Sequence, residues 1–347
     1  MIASPLTLAV GAIAAGLSTA LLVEVIRRWS VRLALLDTPN HRSSHVVPTP
    51  RLGGIGVVAT LLGGLAWLAW SAAAHGDDLA TSLTRLGIIG AVVAGVSLFD
   101  DLRSLSAPAR LAVHLAAATM LAVTVGRVGV LDAGPLGALR LSPAPAIAVT
   151  VLWIAWFINA FNFMDGSDGI AATQAAVAGL SWVAFGAWQG VPALVLCGAL
   201  LFGTMAGFLT HNWSPARIFM GDAGSAFLGF LLSSVPWVVG GDSLWLPSVL
   251  VLWPFLFDTV ATLIRRGLGR EPVWRAHRSH LYQRLIVGGW SHRAVATLYG
   301  VLALLGGAAA VSMLGSRRDV AALMLLVVVG AAALLWSLAG RAAARPV

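Results

Sequence analysis

The stretch AIAVTVLWIAWFINAFNFMDGSDG, residues 146–169, changes character three-quarters of the way along. Its first 19 residues, 146–164, carry no charge. At about 1.5 Å per residue a helix of that length reaches roughly 28 Å, close to the roughly 30 Å of a bilayer's hydrocarbon core. Then Asp165-Gly-Ser-Asp168-Gly169 interrupts it, and a second apolar run opens near 170. Two membrane-length runs joined by a short acidic turn predict a pair of spans with its polar hinge at the membrane surface.

Outward from that pair the same signal repeats. Eleven candidate spans lie near 5–26, 53–74, 86–99, 111–126, 146–164, 170–188, 191–210, 223–240, 246–263, 294–314 and 320–340. The composition agrees: 59% of the 347 residues are hydrophobic and only 10% charged, where a soluble domain carries about 25% charged residues. An ordinary soluble enzyme, a disordered chain and a disulfide-stapled scaffold are excluded. The expected fold is all-α, a polytopic bundle of about 10–11 spans forming one membrane domain over 1–347. The apolar start, without a basic leader, reads as a first span rather than a cleaved signal. The lone Cys197 permits neither an internal disulfide nor a cysteine metal cage.

All 22 basic residues are Arg, so no lysine nucleophile exists. With the N-terminus outside, 17 of them fall in inside segments and 5 outside. By the positive-inside rule this predicts an outside N-terminus and a cytoplasmic C-terminus. The net charge of +8 then needs no nucleic-acid partner.

The acids are not scattered. Asp100 and Asp101 end the third span, Asp165 and Asp168 follow the fifth, and Asp222 precedes the eighth. All five fall on the predicted cytoplasmic side. Asp77, Asp78, Asp132, Asp242 and Asp319, on the other side, read as ordinary solvated charge. The Asp100–Asp101 pair sits at the unfavourable end of a helix dipole, so something positive must answer it: the pair reads either as a surface turn neutralised by Arg103 and Arg110, or as the site of a divalent cation or a phosphate-activating base. The apolar run 86–99 is short, which would set the pair at or just below the lipid headgroups. Asn159, Asn162, Asp165 and Asp168 recur every three residues and would line one helix face with oxygens suited to a hard cation. An EF-hand does not fit, because Ala176 stands where the closing Glu is required. In Arg217-Ile-Phe219-Met-Gly-Asp222-Ala-Gly-Ser225, a small-residue turn opens a helix whose N-terminus would welcome phosphate, or Asp222 is simply that helix's N-cap. Phe219 reads either as a stacking platform or as an interface aromatic. The basic loop 264–293 would hold either anionic lipid or a pyrophosphate. A zinc site at His277 and His280 lacks its remaining ligands.

Taken in order, these clusters resemble the polyprenyl-phosphate N-acetylhexosamine-1-phosphate transferase family. That family includes O-antigen and teichoic acid initiators and the phospho-MurNAc-pentapeptide translocase. The likeness runs from Asp37-Thr-Pro-Asn-His-Arg-Ser-Ser-His45 and Pro48-Thr-Pro-Arg51-Leu-Gly-Gly54 through FDDLRSL, NAFNFMDGSDG, FMGDAGS and the histidine loop. It implies an Mg²⁺-dependent membrane enzyme (Mn²⁺ as a substitute). Such an enzyme moves a sugar-1-phosphate from a UDP-N-acetylhexosamine to undecaprenyl phosphate at the cytoplasmic face of a bacterial inner membrane. By resemblance, Asp100 and Asp101 lie by the acceptor phosphate, Asn162 and Asp222 hold the metal, and Asp165 stands close by. Asp168 contacts uracil, Phe219 stacks on it, and Arg278 and His280 hold the diphosphate and sugar. Asn159 and Arg51 join the substrate-binding set. The sequence Ala276-His-Arg-Ser-His280-Leu-Tyr-Gln283 is similar to initiators acting on 6-deoxy-N-acetylhexosamines such as FucNAc or QuiNAc. The translocase lysine near Pro48–Gly54 is absent, which argues against phospho-MurNAc-pentapeptide transfer. A transporter or flippase would want inverted repeats, and none is visible. A CDP-alcohol phosphotransferase would want D-G-x-x-A-R followed by G-x-x-x-D-x-x-x-D on one helix, and Asp165-Gly166 is followed by Ser-Asp-Gly-Ile instead. Self-association is left open by the sequence.

Overall fold

The computed structural model describes residues 4–37, 47–132, 137–271, 278–315 and 318–343. The histidine at 277 and most of the 37–45 motif lie outside them. The chain is a helical bundle: α1 (Pro5–Arg32), α2 (Gly54–Ala74), α3 (Leu79–Arg103), α4 (Ala107–Thr124), α5 (Pro143–Met164), α6 (Ile170–Gln189), α7 (Pro192–Asn212), α8 (Gly221–Gly240), α9 (Trp245–Val251), α10 (Trp253–Leu268), α11 (Leu281–Val287), α12 (His292–Leu314) and α13 (Arg318–Ala343). Ten of these helices are long and apolar enough to cross a membrane. The pair Asp242–Val251 and Trp253–Leu268, bent by 69°, is apolar and long enough together to form either a broken eleventh span or a re-entrant loop. The bend falls just before Pro254, a residue that withholds a backbone donor from the helix ladder.

α8 is the hub. It packs against α2, α3, α5, α6 and α7, and 83% of its most apolar stretch is buried inside the protein. α1 and α13 turn most of their surface outward, as lipid-facing helices do. Without a hydrophobic force between helices in lipid, close backbone approach does the packing. α7 shows this directly: a Cβ on Gly203 or Gly207 would stand 2.1 Å from the carbonyl oxygens of Ala12 and Gly16 on α1.

Three expectations change. The third span is not short: α3 runs 25 residues, and the polar Thr81, Ser82 and Arg85 simply occupy its far end. Asp100 and Asp101 therefore lie in the last turn of a full-length helix. Two small hairpins, Leu36–Asp37 with Thr49–Pro50 and Val130–Asp132 with Ala138–Arg140, join the helices. Asp242 is not merely solvated, because its Oδ2 accepts the amides of Gly129 and Val130 at 2.9 Å and ties the second hairpin to the bundle.

Candidate active site

The C-terminal ends of α3, α5 and α7 and the N-terminal ends of α4, α6, α8 and α12 meet at one end of the bundle. They wall a cavity of about 570 Å³. Eight residues singled out by the sequence line it: Arg51, Asp100, Asp101, Asn162, Asp165, Asp168, Phe219 and Asp222. Motifs separated by up to 171 residues thus converge, as positions 51 and 222 show.

The aspartate pair divides its work. Asp100 Oδ2 accepts Arg110 Nη1 at 3.0 Å, and its Oδ1 accepts the Leu105 amide at the turn after α3. Arg110 also stands 3.5 Å from Asp222 Oδ2 and so links the two carboxylates. Asp101 turns the other way. Its oxygens accept the amides of Asp222 and Ala223, each at 3.0 Å. A carboxylate at the positive end of α8 satisfies donors that the helix itself leaves open. This decides one ambiguity: Asp222 is not the N-cap. Asp101 caps α8 from another helix, and the Asp222 side chain points elsewhere.

It points to Asn162. Asn162 Nδ2 donates to Asp222 Oδ1 at 2.9 Å and to Ser225 Oγ at 2.8 Å. Amide nitrogen and oxygen exchange places on a half-turn. That turn would set the Asn162 carbonyl oxygen about 2.9 Å from Asp222 Oδ1. Adjacent oxygens at about 2.1 Å from an octahedral Mg²⁺ are separated by about that much. Among the described residues no three His, Cys, Asp or Glu side chains form a metal cage by themselves. Mg²⁺ does not require one, since it keeps waters and binds through one or two protein groups plus phosphate. The donor set fits the ion. Burial and the neighbouring carboxylates of Asp222 and Asp101 push Asp165 well above the ordinary carboxylate range. Its acidity reports the same crowding of negative charge.

The turn 165–169 is held from three sides. Asp168 Oδ2 accepts the Ala216 amide at 3.1 Å. Asn212 accepts from the Gly169 amide and donates to the Ile218 carbonyl, both at 3.0 Å. Below, the fully buried Tyr282 donates its hydroxyl to the Phe163 carbonyl at 3.3 Å. Burial raises the phenol's pKa far above its usual value, so it remains a donor. The segment 50–54 meets 219–220 backbone to backbone: Gly53 and Gly54 donate to the carbonyls of Phe219 and Met220 at 2.9 and 2.7 Å. A Cβ on Gly54 would lie 2.5 Å from the Met220 oxygen, so the glycine lets two motifs touch.

Tight packing beneath the turn gives a direct test. A Cβ on Gly166 would stand 2.1 Å from Tyr282 Oη. Gly166→Ala should therefore displace Asp165 and Asp168 and lower turnover by about 100-fold, the usual effect of an ångström-scale misplacement. Adding Tyr282→Phe, which removes the clashing oxygen, should restore most of it. A double variant no better than Gly166→Ala would refute the buttress.

Three expected site residues do not line this cavity. Asn159 lies one helical turn deeper than Asn162. It donates to the Ala155 carbonyl at 2.7 Å and does not line the cavity. His280 is 5% exposed, with Nδ1 donating to the buried Asp258 at 3.0 Å. Arg278 is half-buried and also stands outside the cavity wall. Conversely, Arg110, Asn212, Ser225, Gln283 and His292 line the cavity without having been assigned to it.

Comparison with known proteins identifies the family. The profile described as glycosyl transferase family 4 matches residues 83–239. A probable undecaprenyl-phosphate N-acetylglucosaminyl 1-phosphate transferase of Bacillus subtilis is 30% identical over 80% of this chain and 76% of its own length. A decaprenyl-phosphate N-acetylglucosaminephosphotransferase of Mycobacterium tuberculosis is 30% identical over 86% of this chain and 80% of its own. A phospho-N-acetylmuramoyl-pentapeptide-transferase of Thermosynechococcus vestitus is 30% identical over 74% and 71%. The matched segment carries Asp100, Asp101, Asn162, Asp165, Asp168 and Asp222, which converge on the cavity, and the chain belongs to glycosyl transferase family 4.

Proposed function

We propose that the protein transfers a sugar-1-phosphate from a UDP-N-acetylhexosamine to undecaprenyl phosphate at the cytoplasmic face of a bacterial inner membrane, releasing UMP. The observation that carries this reading is the convergence of Asp100, Asp101, Asp165 and Asp222 with Arg51 and Arg110 in one polar cavity at one end of an otherwise apolar bundle. An acceptor whose tail stays in lipid needs a site there. A lipid-phosphate oxygen would attack the β-phosphorus of the donor. The bond from that phosphorus to the bridging oxygen breaks, and UMP leaves with the oxygen.

Two anions must meet, so charge must be screened. Asn162 and Asp222 would hold Mg²⁺, which supplies that screening for the donor diphosphate. Arg110, already shared by Asp100 and Asp222, would orient the acceptor phosphate as a charge-assisted donor. Asp101 keeps the start of α8 in register with α3, and Asp168 and Phe219, both in the cavity wall, would contact the base and stack on it. The excess of Arg in loops at this end supports its cytoplasmic placement.

The names of the relatives favour an N-acetylglucosamine donor, and the 276–283 stretch keeps 6-deoxy-N-acetylhexosamines in view. Purified protein should release UMP from undecaprenyl phosphate and at least one of UDP-GlcNAc, UDP-FucNAc or UDP-QuiNAc. Chelation should abolish release, and Mg²⁺ or Mn²⁺ should restore it. No release from any of them would refute the reading, and release from UDP-MurNAc-pentapeptide alone would replace it with that activity.

A further inference from the structure

His292 is the first residue of α12 and stands in the cavity wall beside the 165–169 turn. Its Nδ1 lies 3.1 Å from Ser167 Oγ and 3.3 Å from the Asp168 amide nitrogen. A backbone N–H can only donate, so Nδ1 accepts, and a neutral imidazole then carries its proton on Nε2. The Asp168 carboxylate does not alter this: Oδ1 is 3.6 Å from Nδ1, beyond hydrogen-bond distance, and Oδ2 is engaged by Ala216. Nε2 lies on the opposite edge of the ring. Among the described residues it makes no hydrogen bond, and the side chain is 19% exposed at the cavity.

Donors are what the wall needs there. Much of the cavity is lined by carboxylates, whereas the carbonyls of a pyrimidine and the oxygens of a phosphate are all acceptors. Resting on the donor assignment proposed above, we propose that His292 is a binding residue: its Nε2–H donates to an acceptor oxygen of the pyrimidine nucleotide. Ser167 and the Asp168 amide fix the tautomer and the ring plane. The sequence 165–168 therefore shapes the donor's partner as well as the cavity floor.

Two substitutions separate binding from support of the turn. The Gln amide reaches about as far as Nε2 and can keep the cavity donor. The Asn amide reaches only as far as Nδ1 and can keep the bonds to Ser167 and Asp168 but not the donor. UMP and uridine binding to the full-length protein in detergent, by calorimetry, is the readout, with donor KM and kcat measured alongside. His292→Asn should weaken UMP binding and raise donor KM, with kcat changed less, and His292→Gln should stay near wild type. A bond to base or ribose should cost Asn about three- to tenfold for both UMP and uridine. A bond to phosphate should cost tenfold or more for UMP and nothing for uridine. If Asn binds like wild type while Gln does not, His292 only buttresses the turn and the proposal falls. It falls equally if both variants bind normally. If the wild-type protein itself binds no UMP, the donor assignment fails first, a result distinct from either of these.

Discussion

Asp222→Asn should lower turnover by two to four orders of magnitude while leaving the protein folded. The two halves of this expectation have separate causes. The fold survives because the Asp222 side chain does not cap α8; the amides of Asp222 and Ala223 are satisfied by Asp101 at 3.0 Å. An Asn oxygen can still accept from Asn162, which now donates to Asp222 Oδ1 at 2.9 Å. Activity falls because the amide lacks the charge that a divalent cation requires. Charge stabilisation of that kind is worth several kcal/mol, and each 1.4 kcal/mol or so is a decade in rate. Removing one of four crowded carboxylates should also leave the melting temperature unchanged or slightly raised, the usual trade between activity and stability at such sites. Melting curves and UMP release across an Mg²⁺ titration check both halves. Normal turnover at limiting Mg²⁺ would remove Asp222 from the metal site.

The spans were legible because lipid demands long uncharged runs, and ten of the eleven stretches appear as single helices. The ninth, 246–263, bends just before Pro254, whose missing backbone donor does not register in a hydropathy pattern. The carboxylates were legible because acids at membrane ends are expensive. Asn159 was misplaced by its spacing: three residues per step line a face, but only the last turn of α5, which ends at Met164, reaches the cavity. His280 does not line the cavity: a basic loop looks solvated in the sequence, and nothing local reveals a buried partner 22 positions away. The missed signal was Asp258, an acid inside an expected span. By the reasoning applied to the other aspartates, it should have been a candidate. His292 and Asn212 carry no motif signature strong enough to separate them from ordinary loop residues, and only the convergence of helix ends brings them to the wall.

Asp258→Ala should destabilise the protein by about 3–5 kcal/mol, more than any single cavity substitution. Asp258 is fully buried. Its Oδ1 accepts His280 Nδ1 at 3.0 Å, the Leu281 amide at 2.8 Å and Thr262 Oγ1 at 3.3 Å. Its Oδ2 accepts the Tyr282 amide at 3.0 Å and the Tyr299 hydroxyl at 2.6 Å. One carboxylate on α10 thus closes the start of α11 and binds α12. Truncation would take this acceptor from two amides, a phenol, a threonine hydroxyl and an imidazole, all buried. Each buried orphan donor costs about 1–3 kcal/mol, partly relieved by relaxation, and breaking a buried charge cluster costs about 3–5 kcal/mol. Tyr299→Phe, which removes one donor and orphans nothing else, should cost only about 1 kcal/mol. Denaturant unfolding of the detergent-solubilised protein measures both. Turnover should fall as well, because Tyr282 and Gln283 ride on α11 against the 165–169 turn and the cavity. His280→Ala separates this account from the diphosphate role expected of His280. A structural histidine loses stability with donor KM nearly unchanged, whereas a diphosphate ligand raises KM with stability intact. A raised KM at wild-type stability would return His280 to the site and overturn the assignment to Asp258.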